Sequence, residues 1–241
     1  MELEHSHKKD AIRERLAQGA KPNYLRDWIY GGIDGAVTTM AVVAGVAGAA
    51  LSWRIVMILG LANLLADGLS MAASNYSGTK SEIDDLKRYR AIEKRHIELE
   101  PQGEREEVRQ IMAAKGLSGS TLEHAVDAIT SNEEAWIGTM ITDEYGLTEN
   151  LRDPLKSALA TFVAFVLCGT VPLLPYVFLE QHTAFTVAAV MTLAVFFAIG
   201  SMKSIWSLAE WWRSGLETLA IGSAAAGIAY AIGYVLRDWA A

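Results

Sequence analysis

Three pairs of potential metal ligands lie in the middle of the chain at helical spacing. The pairs are Glu93 and His96, Glu104 and Glu107, and Met140 and Glu144. Side chains three or four residues apart project from one face of a helix, so carboxylates and an imidazole on neighbouring helices could surround a divalent ion. Helical bundles use Glu-x-x-His spacing to bind paired iron or manganese, and such ligands also suit Zn²⁺. The alternative is that these glutamates form the solvated face of acidic helices.

A second polar group lies within apolar segments. Asp34 stands in the first such segment, and Asn63, Asp67 and Met71 follow one another at intervals of four in the second. An ionised group inside a bilayer costs several kcal/mol unless it is paired or hydrated, so such residues indicate a functional site. The amide, carboxylate and thioether on one face, opposite Asp34, favour a pathway for a transition metal. The alternative is a hydrogen-bond clamp between Asp34 and Asn63.

The composition requires membrane-spanning elements to hold these residues. The 241 residues are 51% hydrophobic and 20% charged, too apolar for ordinary soluble domains of this length. A net charge of −7 argues against nucleic acid as a partner, and the single Cys168 excludes a disulfide scaffold or a CxxC site. A membrane helix needs about 20 mostly apolar residues. Five stretches meet this requirement: 29–51, 55–76, 157–178, 185–202 and 216–236. The alternative is a large soluble protein, which would have to bury all five as core helices.

Between the second and third stretches lies an acidic insert, because 17 of the 28 acidic residues fall between positions 80 and 156. Its apolar residues predict helices over 80–100, continuing the second span without a break, and over 104–115. Capping boxes that begin at Ser120 and Ser131 predict two more helices. We therefore predict an all-α membrane protein of five transmembrane helices with a three- to four-helix metal-binding domain inserted. The boundaries are an arm over 1–27, spans one and two over 28–78, the insert over 79–153, and spans three to five over 154–241.

The basic residues predict the orientation in the membrane. If the N-terminal arm and the insert are cytoplasmic, 19 of the 21 Lys and Arg residues lie inside, as the positive-inside rule requires. The C-terminus then lies outside. Small residues four apart, such as Gly31 and Gly35 in the first span, favour close packing against another helix or another subunit. Gly222, Ala226 and Gly227 give the fifth span the same character.

Several motifs at fixed spacing resemble the vacuolar iron transporter family. They are Asp34-Gly-Ala-Val-Thr-Thr, Ser70-Met-Ala-Ala-Ser-Asn-Tyr76 running into Lys80-Ser-Glu82, Pro101-Gln-Gly-Glu104-Arg-Glu-Glu107-Val, and Trp136 through Met140 to Glu144-Tyr-Gly-Leu147. The resemblance implies a five-span homodimer with a cytoplasmic helical metal-binding domain. It also implies movement of Fe²⁺, and in some members Mn²⁺, out of the cytoplasm in exchange for protons.

The resemblance assigns roles to positions of this chain. Asp34 and Met71 match the pathway aspartate and methionine of the family. The cytoplasmic metal ligands match Glu93, Glu104, Glu107, Met140 and Glu144.

Three positions depart from the plant pattern. His96 replaces a glutamate, which exchanges one good ligand for another whose protonated form cannot bind metal. Ile141 replaces a second methionine and weakens a thioether contribution. Asn63 replaces a pathway glutamate and loses a titrating group, so proton antiport would depend on Asp67, one turn away.

These observations predict a transporter of Fe²⁺ or Mn²⁺, with protons as the exchanged ion, and not an enzyme. The metal would be the transported substrate, with no permanent cofactor and with Zn²⁺ as another ion that the insert could bind. A membrane-anchored ferroxidase or ferritin-like store is the alternative, although such a site usually needs two Glu-x-x-His motifs and the chain has one clear copy. A metal-responsive scaffold without flux is a third reading. The membrane would be the inner membrane of a bacterium or a vacuolar-type membrane of a eukaryote.

Overall fold

The structure, a computed structural model, describes residues 6–19 and 22–240, and the regular elements in these ranges are all helical. The α-helices are α1 (Lys9–Gln18), α2 (Leu25–Gly48), α3 (Trp53–Leu99), α4 (Pro101–Ala114), α5 (Gly119–Thr130), α6 (Glu133–Thr139), α7 (Pro154–Thr170), α8 (Leu174–Phe178), α9 (Gln181–Lys203) and α10 (Trp211–Ala240). A π-helix, Met140–Glu144, continues α6, and a 3₁₀ turn, Ser204–Trp206, follows α9. The predicted all-α class is confirmed.

The helices form two compact units. One unit combines the described residues of Met1–Pro22 with Gly78–Asp153, and the other combines Asn23–Ser77 with those of Pro154–Ala241. We call them the polar unit and the membrane unit.

Four helices in the described part of the chain are long and apolar enough to cross a membrane. They are Leu25–Gly48, Trp53–Leu99, Gln181–Lys203 and Trp211–Trp239. The remaining predicted span, 157–178, is divided, because α7 ends at Thr170 and the short helix α8 follows a turn that contains Pro172. A proline ring blocks continuation of a helix, which accounts for this break. The apolar helix α7 has 17 residues.

Glycines bring α2 and α7 into backbone contact. A Cβ atom on Gly31 would lie 2.2 Å from the carbonyl oxygen of Thr161, and one on Gly35 would lie 2.3 Å from that of Phe165. No larger residue fits at either position. The small-residue spacing of the first span thus packs it against another helix of the same chain.

The opposite end of α2 meets α10 in the same way. A Cβ on Gly48 would lie 2.2 Å from the Tyr230 carbonyl oxygen, and one on Gly233 would lie 2.0 Å from that of Gly45. Of the glycines singled out in the fifth span, Gly222 packs against the ring of Phe196, whereas Gly227 has open space around it.

The helix α3 is continuous over its 47 residues, as the insert pattern predicted. It ends at Leu99, and Pro101 occupies the first turn of α4, where its missing N–H costs nothing. This tight connection places the end of α3 next to the start of α4.

Both predicted capping boxes are wrong in register. The N-cap of α5 is Ser118 rather than Ser120, which lies inside the helix. The N-cap of α6 is Asn132, whose side chain accepts hydrogen bonds from the N–H groups of Glu134 and Ala135. Asn is as good an N-cap as Ser, so the choice between adjacent residues depends on the backbone.

Candidate metal centre

Glu93, His96 and Glu104 converge where α3 meets α4, and we call this group the Glu–His cluster. The Nδ1 atom of His96 lies 3.3 Å from Oε1 of Glu104 and 3.8 Å from Oε1 of Glu93. One potential ligand atom from each residue lies within 4.8 Å of the others. A single divalent ion could therefore contact all three residues.

The two carboxylates of the cluster are buried, whereas the imidazole is open to solvent. The side chains of Glu93 and Glu104 are 1% and 7% exposed, and that of His96 is 43% exposed. The Oε2 atoms of both glutamates have no hydrogen-bond partner among the described residues. A buried carboxylate oxygen without a hydrogen bond is costly unless a proton or a cation neutralises it, so the donor set fits a bound cation.

Glu107 and Glu144 interact electrostatically with the carboxylates of the cluster. Burial, together with the charges of Glu93 and Glu107, raises the pKa of Glu104 to about 8. Burial also raises the pKa of Glu144, with the charges of Glu93 and Glu107 as additional causes. Four carboxylates thus share one electrostatic environment, which stores negative charge that a dication would neutralise.

Tyr145 is a site residue that the sequence reasoning missed. Its hydroxyl donates a hydrogen bond to Oε1 of Glu93 at 2.8 Å, and its ring lies 4.4 Å from that of Tyr89, centroid to centroid. Burial raises the pKa of Tyr145, and the hydrogen bond to Glu93 raises it further, so the phenol remains a donor at neutral pH. The residue directly follows the π-helix, an element that often marks a functional site.

Met140 lies in the apolar core of the polar unit. Its side chain is fully buried and belongs to a cluster with Val108, Met112, Val126 and Trp136. The first residue of the π-helix therefore anchors the helix in the core, while its last residue, Glu144, reaches the carboxylates. A ligand role for the Met140 thioether stays a prediction.

In the membrane unit, α2 and α3 present the four residues predicted for a pathway. Asp34, Asn63, Asp67 and Met71 are each half-buried. Asp34 and Asp67 lie close enough for their like charges to interact. The Nδ2 atom of Asn63 is buried without a hydrogen-bond partner among the described residues, so the Asn63 amide does not donate a hydrogen bond to Asp34.

Comparison with known proteins identifies the family. The model of the VIT family matches residues 25–234. The chain belongs to the VIT family. It is 34% identical over 215 residues to vacuolar iron transporter 1 of Arabidopsis thaliana, covering 88% of this chain and 86% of the relative. It is 33% identical over 216 residues to vacuolar iron transporter 1 of Eucalyptus grandis, covering 89% and 87%, and 30% identical over 226 residues to the vacuolar iron transporter of Toxoplasma gondii, covering 89% and 75%.

Membership of the VIT family and the four long apolar helices together identify this chain as an integral membrane protein. The matched range includes both the Glu–His cluster and the four residues of the membrane unit.

This VIT family chain also contains a buried polar network that the sequence reasoning missed. The amide nitrogen of Asn75 lies 3.0 Å from Oδ1 of Asp27, 2.6 Å from Oγ1 of Thr161 and 3.3 Å from the carbonyl oxygen of Ser157. Asp27, assigned from the sequence to a polar arm over 1–27, is in the first turn of α2 and only 2% exposed. The network ties α2, α3 and α7 together, and no local pattern could reveal it because its members are far apart in sequence.

Proposed function

We propose that this protein transports Fe²⁺ or Mn²⁺ out of the cytoplasm in exchange for protons, as a homodimer in the membrane. The Glu–His cluster is the observation that carries the proposal, because the Oε2 atoms of its two buried carboxylates lack partners and a dication can neutralise them. The names of the relatives, vacuolar iron transporters, support iron as the metal. Mn²⁺ and Zn²⁺ accept the same oxygen and nitrogen ligands, so the cluster alone fits all three ions.

The proposed topology has five spans, with the N-terminal arm and the polar unit in the cytoplasm. Support comes from the bias of Lys and Arg residues and from the four long apolar helices, to which α7 adds the fifth. Seventeen helical residues extend about 26 Å at 1.5 Å per residue, close to the thickness of the hydrocarbon core, and the turn and α8 follow. In this orientation the cluster faces the compartment that supplies the metal. The membrane would be vacuolar-type in a eukaryote or the inner membrane in a bacterium.

In the proposed mechanism the cluster captures the ion and raises its concentration near the membrane. Met71 and Asp34 then bind it within the bilayer. The like charges of Asp34 and Asp67 interact, so their shared site favours binding of one cation or one proton, and the two exclude each other electrostatically. This competition supplies antiport, with Asp67 in the role that Asn63 cannot perform.

Flux into proteoliposomes tests the proposal. Fe²⁺ uptake driven by an imposed pH gradient should fall to background in Asp34→Ala and in Met71→Ala. Met202→Ala, a methionine at the end of α9, serves as the control and should transport normally. Wild-type uptake in both pathway variants would show that the pathway is wrongly assigned, and metal binding without uptake in the wild type would favour a scaffold. Competition among Fe²⁺, Mn²⁺ and Zn²⁺ in the same assay identifies the preferred ion.

A further inference from the structure

An open pocket of about 270 Å³ lies where the first turn of α2 meets the end of α9. Its lining consists of Asn23, Leu25, Arg26, Ile29, Tyr30 and Lys203. Both helices are apolar along their length and end here, so the pocket lies at the surface of the bilayer.

The charged groups that line the pocket are both cations. Arg26 stacks over the ring of Tyr30, 5.2 Å from its centroid, and has no ion-pair partner among the described residues. The Nζ atom of Lys203 lies 3.5 Å from Oε2 of Glu217, but the Glu217 side chain is 64% exposed, so water weakens this pair. Asp27 stands in the same first turn of α2, but its carboxylate accepts a hydrogen bond from Asn75 and is not part of the lining. The pocket is therefore suited to an anion.

The rest of the lining is apolar, which a free inorganic anion would not use. Leu25, Ile29 and Tyr30 provide an apolar wall beside the two cations. An anionic phospholipid combines a phosphate with a glycerol group and acyl chains, and so matches both halves of the lining.

The neighbouring start of α10 carries residues typical of a membrane interface. Trp211 and Trp212 are 59% and 42% exposed there, and Arg213 stacks over the Trp212 ring. The end of α9 contacts this turn directly, since a Cβ on Gly200 would lie 2.6 Å from the Ser214 carbonyl oxygen. Exposed tryptophans of this kind form the aromatic belt at membrane interfaces.

We propose that this pocket is a binding site for the headgroup of an anionic phospholipid, with Arg26 and Lys203 contacting the phosphate. Basic pockets between transmembrane helices bind anionic headgroups by this chemistry. The site is separate from the Glu–His cluster and from the pathway residues, so lipid binding there does not require metal.

Calorimetric titration of the full-length protein in an uncharged detergent tests the site. The probes are short-chain phosphatidylglycerol, phosphatidylcholine with the same chains, and inorganic phosphate. Phosphatidylglycerol should bind most tightly, and Arg26→Gln and Lys203→Gln should each weaken it about five-fold, or about twenty-five-fold together. Arg26→Lys keeps the charge and should retain most of the affinity, which separates loss of charge from misfolding.

Arg213→Gln is the matched control, because Arg213 lies at the same end of the membrane unit but outside the pocket lining. Its affinity for phosphatidylglycerol should equal that of the wild type. An equal loss in Arg213→Gln and Arg26→Gln would overturn the site in favour of general surface charge. Equal affinity for phosphatidylcholine, or binding of inorganic phosphate as tight as that of the lipid, would overturn the assignment of the ligand.

Discussion

Binding of a divalent metal to the Glu–His cluster should release a proton from Glu104. Burial and the charges of Glu93 and Glu107 raise the pKa of Glu104 to about 8, so at pH 7 about nine in ten metal-free molecules carry this proton. Metal binding requires the carboxylate form. The proton and the metal therefore compete for the same oxygen atoms.

The size and sign of the effect follow from that pKa. Because the protonated carboxyl is the metal-free form, affinity should rise with pH and become constant above about 8. The contribution of Glu104 is about ten-fold per pH unit well below 8, or about fifty-fold between pH 6 and pH 8. The free energy of unfolding of the metal-free protein changes with pH in the opposite direction to the metal affinity. The raised pKa favours the folded state below the ordinary value of 4.5, and this stability is lost as the pH rises toward 8.

Calorimetric titration of the full-length protein with Mn²⁺ at pH 7, in two buffers of different ionisation enthalpy, counts the released protons. The wild type should release about 0.9 proton more than Glu104→Gln, which has no proton to release at this position. The control is Glu98→Gln, which removes an exposed glutamate from the last turn of α3 and should behave as the wild type does. Equal proton release in the wild type and Glu104→Gln, or an affinity that stays constant from pH 6 to 8, would refute the reasoning.

Three further predictions concern other parts of the molecule. Tyr145→Phe removes the hydrogen bond that orients a ligand carboxylate and should weaken Mn²⁺ binding about ten-fold in the same titration, while Tyr89→Phe keeps its ring and should not. Asp67→Asn should make metal uptake into proteoliposomes independent of an imposed pH gradient, and an unchanged dependence would remove Asp67 from the exchange. Gly35→Leu places a side chain against the α7 backbone and should lower the free energy of unfolding by about 3 kcal/mol or more. Gly227→Leu, in open space, should not lower the thermal unfolding temperature.

The sequence predicted most reliably what depends on neighbouring residues. The long continuous α3 and the turn at Pro101 follow from helical periodicity and from the chemistry of proline, and these two features place Glu93 and His96 beside Glu104. The i, i+3 spacing therefore identified the residues that converge. The apolar run over 157–178 predicted one continuous third span. The structure instead ends α7 at Thr170 and begins α8 at Leu174, because Pro172 interrupts the helix within this apolar run.

The sequence could not show what depends on an irregular helix or on distant contacts. Periods of 3.6 residues assume an α-helix, so the π-helix at Met140–Glu144 and the resulting position of Tyr145 next to Glu93 were not foreseen. Asp27 was assigned to a polar arm by composition, yet it is buried and accepts a hydrogen bond from Asn75, 48 positions away. Only the tertiary structure brings such pairs together.

The contacts of the membrane unit differ in how easily they permit movement. Where α2 meets α7 and α10, backbone touches backbone at the glycines, with no side chain between them that could change rotamer. Where α3 packs, Gly60 meets the side chain of Leu173 and Gly68 meets the ring of Phe165, and side chains can change rotamer. The hydrogen bonds of Asn75 hold α3 at one point. The side-chain contacts of α3 can therefore adjust without displacing a backbone, whereas the backbone contacts of α2 with α7 and α10 cannot.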